Sequence, residues 1–170
     1  MVTPDDIKNY LNALNSTVRG EMKEQSVLRV MSSMSDIYDK CGIQNKPIIL
    51  PCGIVKKVNI KKHEVPLLVL EDLPLLLDKP IMVLKSKTEK ASYVVVLDAL
   101  DNNDNRIISI VRDNCGKCNR IPSIYGKNHF EEFVYDNIRS QNVLYYDKEK
   151  VVNIIRPSSL QLLGVYDQQP

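Results

Sequence analysis

Three apolar runs rich in β-branched residues follow one another in the middle of the chain, and two polar clusters separate them. The runs are "PIMVLKS" (80–86), "ASYVVVLDAL" (91–100) and "RIISIVRD" (106–113). Valine and isoleucine fit the pleated surface of a sheet, while the polar clusters "KSKTEK" (85–90) and "DNNDN" (101–105) supply turns. The spacing therefore predicts an antiparallel meander, and any fold of this chain has to be built around that sheet.

Helices are expected before the meander. "TPDDIKNYLNAL" (3–14) has a threonine cap, proline at the first helical position and acidic residues in the first turn, which together signal the start of a helix. A second apolar stripe has helical spacing, and Gly42 supplies its stop. The members of this stripe are Val27, Val30, Met31, Met34, Ile37 and Tyr38. Two helices are therefore predicted in the first 42 residues.

The other segments alternate between the two kinds of secondary structure. Strands are predicted at "KPIILP" (46–51) and "NVLYYD" (142–147). Helices are predicted at "GIVKKVNIKKH" (53–63), in two pieces over 66–80, at "NHFEEFVYDNIRSQ" (128–141) with Asn128 as its cap, and at "KEKVVNIIRP" (148–157), where Pro157 ends it. The predicted fold class is α+β, with N-terminal helices followed by a small antiparallel sheet into which one helix is inserted. We expect a helical segment (1–42) and an α+β domain (43–170) that form one compact unit.

Composition narrows the class of protein. A chain of 170 residues is long enough for one domain with a sizeable core, and no apolar run approaches the ~20 residues that span a bilayer. "MVTPDDIKNY" lacks the basic and apolar regions of a signal peptide, and four cysteines do not suggest a secreted disulfide scaffold. We therefore expect a soluble cytoplasmic protein without a membrane partner.

The positive charge is concentrated in the middle third of the chain. Residues 40–90 carry ten basic and five acidic side chains, whereas the segments on either side are slightly acidic. Closely spaced lysines attract phosphate backbones, although solvated lysines on a helix surface are the commoner explanation. The candidate nucleic-acid contacts are Lys56, Lys57, Lys61, Lys62, Lys87 and His129.

Several familiar chemistries leave no trace in the sequence. With only six glycines, the chain has neither a glycine-rich phosphate loop nor a dinucleotide fingerprint, and no nucleophile elbow is present. "CGKC" (115–118) has the spacing of a zinc or redox motif, and Cys41 and Cys52 would complete a four-thiolate zinc site. A turn between two strands explains "DNCGKCNR" equally well, so both interpretations stay open and no metal is assigned.

The order of the segments resembles that of the phage MuF C-terminal domains over about residues 43–155. The run "KKHEVPLLVLEDLPLLLDKPIMVLKSKT" has a Lys-His pair before two leucine-proline helices and a strand that ends in Lys-Ser. After a hairpin comes "IPSIYGKNHFEEFVYDNIRSQNVLYYDKEKV", with its Ser-Ile-Tyr-Gly-Lys motif before a helix. The cysteine motif and the N-terminal helices lie outside this pattern.

The resemblance implies a small fold like those of barnase, EndoU, the nuclease colicins and RelE, and a metal-independent ribonuclease toxin. It implies an RNA substrate, with tRNA as one candidate, a cognate immunity protein and no cofactor. Such cleavage needs a base for the 2′-hydroxyl, an acid for the leaving oxygen and cations or hydroxyls on the phosphorane. The matching positions are His63 as base or acid, Lys85 and Lys127 as phosphate ligands, and Ser86, Ser123 and Tyr125 as hydrogen-bond donors. His129 is a further candidate for proton transfer.

Two other functions remain open at this point. The first is a non-catalytic module that binds nucleic acid or protein in a phage MuF-type protein. The second is a nucleotide-using toxin such as an ADP-ribosyltransferase, although the order Arg…Ser-x-Ser…Glu-x-Glu is not evident in the sequence.

Overall fold

A computed structural model describes residues 1–58 and 65–165, in which seven strands and eight α-helices are present. The strands are β1 (Val27–Met31), β2 (Ile48–Pro51), β3 (Met82–Lys85), β4 (Ser92–Leu100), β5 (Arg106–Arg112), β6 (Asn119–Gly126) and β7 (Val143–Tyr146). The helices are α1 (Pro4–Val18), α2 (Asp36–Lys40), α3 (Cys52–Lys56), α4 (Leu67–Glu71), α5 (Leu73–Asp78), α6 (Phe130–Arg139), α7 (Lys148–Val151) and α8 (Pro157–Leu163).

All seven strands form one open sheet in the order β1-β2-β6-β5-β4-β3-β7. The predicted meander is confirmed, since β3, β4 and β5 pair antiparallel in succession, and β6, which was not predicted, extends it by pairing antiparallel with β5. The sheet is larger than expected and mixed, because β2 pairs in parallel with β6 and thereby joins β1 and β2 to the meander. The α+β class is confirmed, whereas the prediction of a small, purely antiparallel sheet is wrong.

Helices cover both faces of the sheet. Alternate residues of a strand point to opposite faces, so Val95 and Leu97 pack under α1 to α5 while Val94 and Val96 pack under α6 to α8. We call these sides the α1 face and the α6 face. The central strands of the sheet are buried on both sides. For this reason β4 carries a continuous run of valines and does not alternate strictly with polar residues.

The first helix begins where the sequence predicts. Thr3 accepts the N–H of Asp6, and the Asp6 carboxylate accepts the N–H of Thr3, which is a complete capping box. The helix continues to Val18 and buries Tyr10 and Leu14 against the sheet. Because this helix packs on the α1 face, the N-terminal residues belong to the same hydrophobic core as β2 and the meander.

The predicted second helix is wrong. Residues 27–31 form strand β1, and only Asp36–Lys40 is helical. Val27, a member of the helical stripe, is 44% exposed, whereas Leu28, which is outside the stripe, is buried. The burial follows strand alternation, because the backbone of β1 pairs with β2 some twenty residues further along the chain.

Two predicted helix ends are also corrected. α6 begins after His129, which is its N-cap at a φ of 53°, and not at Asn128. Pro157 does not end the helix that starts at Lys148; it occupies the first turn of α8, where its missing N–H costs no hydrogen bond.

The remaining predicted elements are found near their expected positions. They are β2, α4, α5, α6, β7 and α7. The helix expected over 53–63 is confirmed in its first turns as α3, and residues 59–63 lie outside the described part of the chain. In that described part, no helix has both the length and the apolar character needed to cross a membrane.

Candidate functional site

A cleft of about 380 Å³ opens on the α6 face of the sheet, beside the β3–β4 hairpin. Its floor is apolar, and it consists of Val94, Ile108 and Ile110 from adjacent strands together with Phe133 from α6. Its rim is polar and basic, and it consists of Lys85, Ser86, Lys87, Thr88, Tyr125, Lys127, Asp136 and Asn137. Four of the six predicted catalytic residues therefore line one cavity: Lys85, Ser86, Tyr125 and Lys127.

The register of the central strands accounts for the position of Tyr125. Ile108 of β5 pairs with Tyr125 of β6, and Ile110 pairs with Ser123 two residues along. Residues two apart in a strand point to the same face, so Tyr125 and Ser123 both lie on the α6 face with Ile108. Burial raises the pKa of Tyr125 further above neutral pH, so the phenol is a protonated hydroxyl that can donate a hydrogen bond. Ser123 shares this face but is not part of the cleft lining.

The hydroxyl of Ser86 stabilises the turn that carries the basic rim. Its Oγ accepts the N–H of Thr88 at 3.3 Å and that of Glu89 at 3.2 Å. These bonds are those expected of a serine that closes a tight turn. Ser86 therefore fixes the backbone from which Lys87 and Thr88 reach into the cleft.

Lys127 lies immediately after strand β6. Its backbone N–H donates to Arg106 O at 2.8 Å, which continues the β5–β6 pairing by one residue. Its Nζ lies 5.0 Å from the centroid of the Phe133 ring, within the range of a cation–π interaction. The lysine thus bridges the end of β6 and helix α6 at the wall of the cleft.

The three lysines of the rim are not neutralised by neighbouring carboxylates. Arg112 forms an ion pair with Glu89 at 2.7 Å, and Arg106 forms one with Asp98 at 3.6 Å. Among the residues whose positions are described, no carboxylate lies within 4.0 Å of the Nζ of Lys85, Lys87 or Lys127. With three lysines and Asp136 on its rim, the cleft carries an excess of positive charge over an apolar floor.

Of the other predicted nucleic-acid contacts, those that the structure describes do not join the cleft. Lys56 lies on α3, which packs on the α1 face, and its Nζ donates to Met22 O at 3.3 Å. Lys57, at the end of α3, is exposed. His129 is exposed at the start of α6 and does not line the cleft. The predicted residues Lys61, Lys62 and His63 lie outside the described residues.

Helix α6 contributes residues that the sequence analysis did not select. Phe133, Asp136 and Asn137 line the cleft, and their i, i+3, i+4 spacing places them on one side of the helix. Asn137 is buried, and its Nδ2 donates to Phe133 O at 2.8 Å. The spacing was available in the sequence, but it indicates a shared helix face and not which face of the sheet that helix covers.

The cysteines do not form a four-thiolate site. Cys41 and Cys52 are buried, whereas Cys115 is exposed in the loop between β5 and β6, and all four are free thiols. In residues 1–58 and 65–165, no three side chains of the metal-binding types come together. The zinc interpretation with four cysteines is wrong, and the loop is a turn that Lys46 Nζ holds through Asp113 O and Gly116 O at 2.5 and 3.1 Å.

Together, the fold and the cleft define an α+β domain with a basic cleft on a seven-stranded mixed sheet. The family model of the phage MuF C-terminal domain matches residues 54–153, which include the whole cleft, helices α4 to α7 and part of α3. The chain therefore belongs to the phage MuF C-terminal domain family. No curated protein and no solved structure matches it significantly.

Proposed function

We propose that the protein is an endoribonuclease toxin of phage or mobile-element origin that cleaves RNA in the bacterial cytoplasm without a metal ion. The observation that carries this proposal is the convergence of Lys85, Lys87, Lys127 and Tyr125 on one cleft with an apolar floor. A cognate immunity protein that covers this cleft is part of the same proposal.

The two surfaces of the cleft suit the two parts of a nucleotide. Lysine ammonium groups attract the phosphate, and in the described part of the chain none of the rim lysines is engaged in an ion pair, so the lysines outweigh Asp136. The floor of valine, isoleucine and Phe133 accepts the flat face of a base without selecting its identity. A cavity of about 380 Å³ is of a size usual for a small-molecule site.

The proposed reaction is an internal transesterification. The 2′-oxygen attacks the adjacent phosphorus, a new O–P bond forms, and the bond from phosphorus to the 5′-oxygen breaks. A base removes the 2′-hydroxyl proton, and an acid protonates the departing 5′-oxygen. His63 is the proposed base or acid on sequence grounds, and it lies outside the described residues.

The cleft residues stabilise the charge that develops on the phosphorane. Lys127 supplies positive charge, and the protonated phenol of Tyr125 supplies a hydrogen bond. Lys85 lines the cleft at the end of β3, but its pairing with Tyr93 gives its side chain the same parity as Val95 on the α1 face, so we assign the phosphate contact to Lys127. Ser86 acts by holding the turn of the β3–β4 hairpin, since its Oγ already accepts two backbone N–H groups.

The test is cleavage of a labelled single-stranded RNA by the purified chain, with and without EDTA. We expect cleavage that EDTA does not reduce, with 2′,3′-cyclic phosphate ends on the products. Tyr125→Phe and Lys127→Gln should each lower the rate by roughly 10²-fold, as expected for the loss of one group that stabilises the transition state. His63→Ala should abolish cleavage.

The matched control is Lys8→Gln, because Lys8 is exposed on α1, on the opposite face of the sheet. It should cleave at the wild-type rate. An intact RNA after incubation with the wild-type chain would refute the enzymatic proposal, and full activity of His63→Ala would refute the role of that histidine.

A non-catalytic nucleic-acid-binding module is the second candidate. It is favoured by one observation: among the described residues, no histidine lines the cleft. This module would bind the same RNA through the basic rim, would leave it uncleaved and would not arrest growth when expressed. Induced expression of wild type beside His63→Ala, followed by a denaturing gel of total RNA, separates the two functions.

A further inference from the structure

A second, shallower groove continues the cleft along helix α6. It has a volume of about 310 Å³, and it is lined by Lys87, Asp136, Arg139 and Ser140. Lys87 and Asp136 also line the cleft, so the two cavities share a wall. Any chain-like ligand that leaves the cleft past Lys87 therefore enters this groove.

We propose that the groove binds a second phosphate, so that the ligand of this site is a single-stranded polynucleotide with at least two phosphates and not a mononucleotide. The proposal rests on the nucleic-acid function proposed above. It assigns the phosphate contact to Arg139, with Lys87 between the two positions.

Arg139 is suited to this contact by its surroundings. Its guanidinium carbon lies 5.7 Å from the centroid of the Tyr135 ring, which orients the planar group without using its N–H donors. In the part of the chain that the structure describes, no carboxylate lies within 4.0 Å of it, whereas Arg156 forms ion pairs with Glu131 and Glu132. Arg139 is therefore a charged, exposed group with unused capacity to bind an anion.

Asp136 sets the chemical class of the ligand more closely. A site that served a free inorganic anion gains nothing from a carboxylate in the same lining as Lys87 and Arg139. A carboxylate accepts hydrogen bonds from ribose hydroxyls and from the amino groups of bases, which lie between the phosphates of a strand. A groove lined by two cations and one carboxylate thus fits two phosphates and the nucleoside that joins them.

The experiment measures binding of fluorescent 2′-O-methyl oligonucleotides by anisotropy, because such strands cannot undergo the internal transesterification. One ligand is a dinucleotide with a single phosphate, and the other is a hexanucleotide with five. The proteins are wild type, Arg139→Gln, Lys127→Gln and the control Arg29→Gln, whose arginine is exposed on the distant edge strand β1.

We expect Arg139→Gln to weaken the binding of the hexanucleotide by roughly fivefold and to leave the binding of the dinucleotide unchanged. The reason is that one phosphate contact is lost only in the longer ligand. The slope of log affinity against log salt for the hexanucleotide should fall by about 0.7, the value for one contact to a single strand. Lys127→Gln should weaken the binding of both ligands, and Arg29→Gln should not change the binding of either.

Equal affinity of Arg139→Gln and wild type for the hexanucleotide would overturn the second phosphate site, as would an equal loss for both ligands. These results are separate from catalysis. Length-dependent binding that needs Arg139, together with intact RNA in the cleavage assay, would retain the groove and refute the enzyme. Cleavage of RNA without any effect of Arg139→Gln on binding would retain the enzyme and refute the second phosphate site. Failure of the wild-type protein to bind either strand would refute both proposals.

Discussion

The carboxylate of Asp101 occupies the space that a side chain at Gly126 would need. A Cβ built on Gly126 would lie 1.9 Å from Asp101 Oδ2 and 2.6 Å from Asp101 Cγ. The carboxylate is fixed in place because its Oδ1 accepts the N–H groups of Asn103 and Asn105 at 2.8 and 2.9 Å. The glycine between Tyr125 and Lys127 thus allows the β4–β5 turn to pack against the end of β6, next to the cleft.

Gly126→Ala is therefore expected to destabilise the fold. The added methyl group has to displace a buried, hydrogen-bonded carboxylate, and overpacking of this kind costs about 1–3 kcal/mol in the free energy of unfolding. Urea unfolding followed by circular dichroism measures the change. The control is Gly53→Ala, where the Cβ would meet Glu24 O at an ordinary 3.6 Å. This control should be neutral or slightly stabilising, and an equally small effect at Gly126 would contradict the argument.

The parts of the fold that were predictable are those whose signals are local. The β3–β4–β5 meander follows from valine and isoleucine runs between turn clusters, and α1 follows from its capping box. Strand β1 was not predictable in this way, because its apolar residues also fit a helical spacing. Its structure is decided by pairing with Ile48–Pro51, which is a long-range contact.

The candidate site, too, was predictable only where its signals are local in the sequence. Lys85, Ser86, Tyr125 and Lys127 were selected from motifs near strand ends, and the antiparallel register brings them to one cleft. Lys56 was selected from charge alone, and the side of the sheet on which α3 packs separates it from the others. Asp136 and Arg139 were missed because their relevance depends on where α6 docks, and a helical spacing does not contain that information.

The contact between Lys127 and Phe133 is expected to stabilise the protein as well as shape the cleft. At 5.0 Å from the ring centroid and at a partly exposed site, the cation–π interaction should contribute about 0.5–1 kcal/mol. A double-mutant cycle of Lys127→Gln and Phe133→Leu isolates this energy from the loss of ring packing. Strictly additive effects on the free energy of unfolding would show that the two side chains are not coupled.

The exposed thiol of the "CGKC" loop is expected to be dispensable. Cys115→Ser should leave both the melting temperature and the proposed binding of RNA unchanged, because Cys115 is exposed and the loop is held by Lys46 instead. Elemental analysis should find no stoichiometric zinc in the wild-type chain. A zinc content near one per chain, lost in Cys115→Ser, would contradict this prediction.

The four thiols should also differ in their reactivity. Burial raises the pKa of Cys41 to about 11, so little of it is the reactive thiolate at pH 8. Brief alkylation with iodoacetamide, followed by peptide mass spectrometry, should therefore modify Cys115 before Cys41. Modification of Cys41 at the same rate in the folded protein would show that its burial is transient.

Acid should weaken the attachment of α1. Burial alone would raise the pKa of Asp6, but hydrogen bonds from the Ser32 hydroxyl at 2.5 Å and from Thr3 outweigh it, and the pKa is lowered. A carboxyl with a lowered pKa in the folded state stabilises that state above its unfolded pKa, and this contribution is lost as the pH falls through the folded value. The capping box and the link from α1 to the segment after β1 therefore depend on an ionised Asp6.

Asp6→Asn should lower the free energy of unfolding at pH 6 by about 1 kcal/mol, the usual cost of removing a capping interaction. At pH 2.5 the difference from wild type should be smaller than at pH 6, because the stabilisation is lost as the pH falls through the lowered folded-state pKa of Asp6. Asp5→Asn removes a charge from the same turn at an exposed position, so it controls for the helix dipole alone. Urea unfolding of the three proteins at both pH values measures these differences. A loss in Asp6→Asn that is independent of pH would mean that the geometry of the side chain, and not its charge, holds α1 in place.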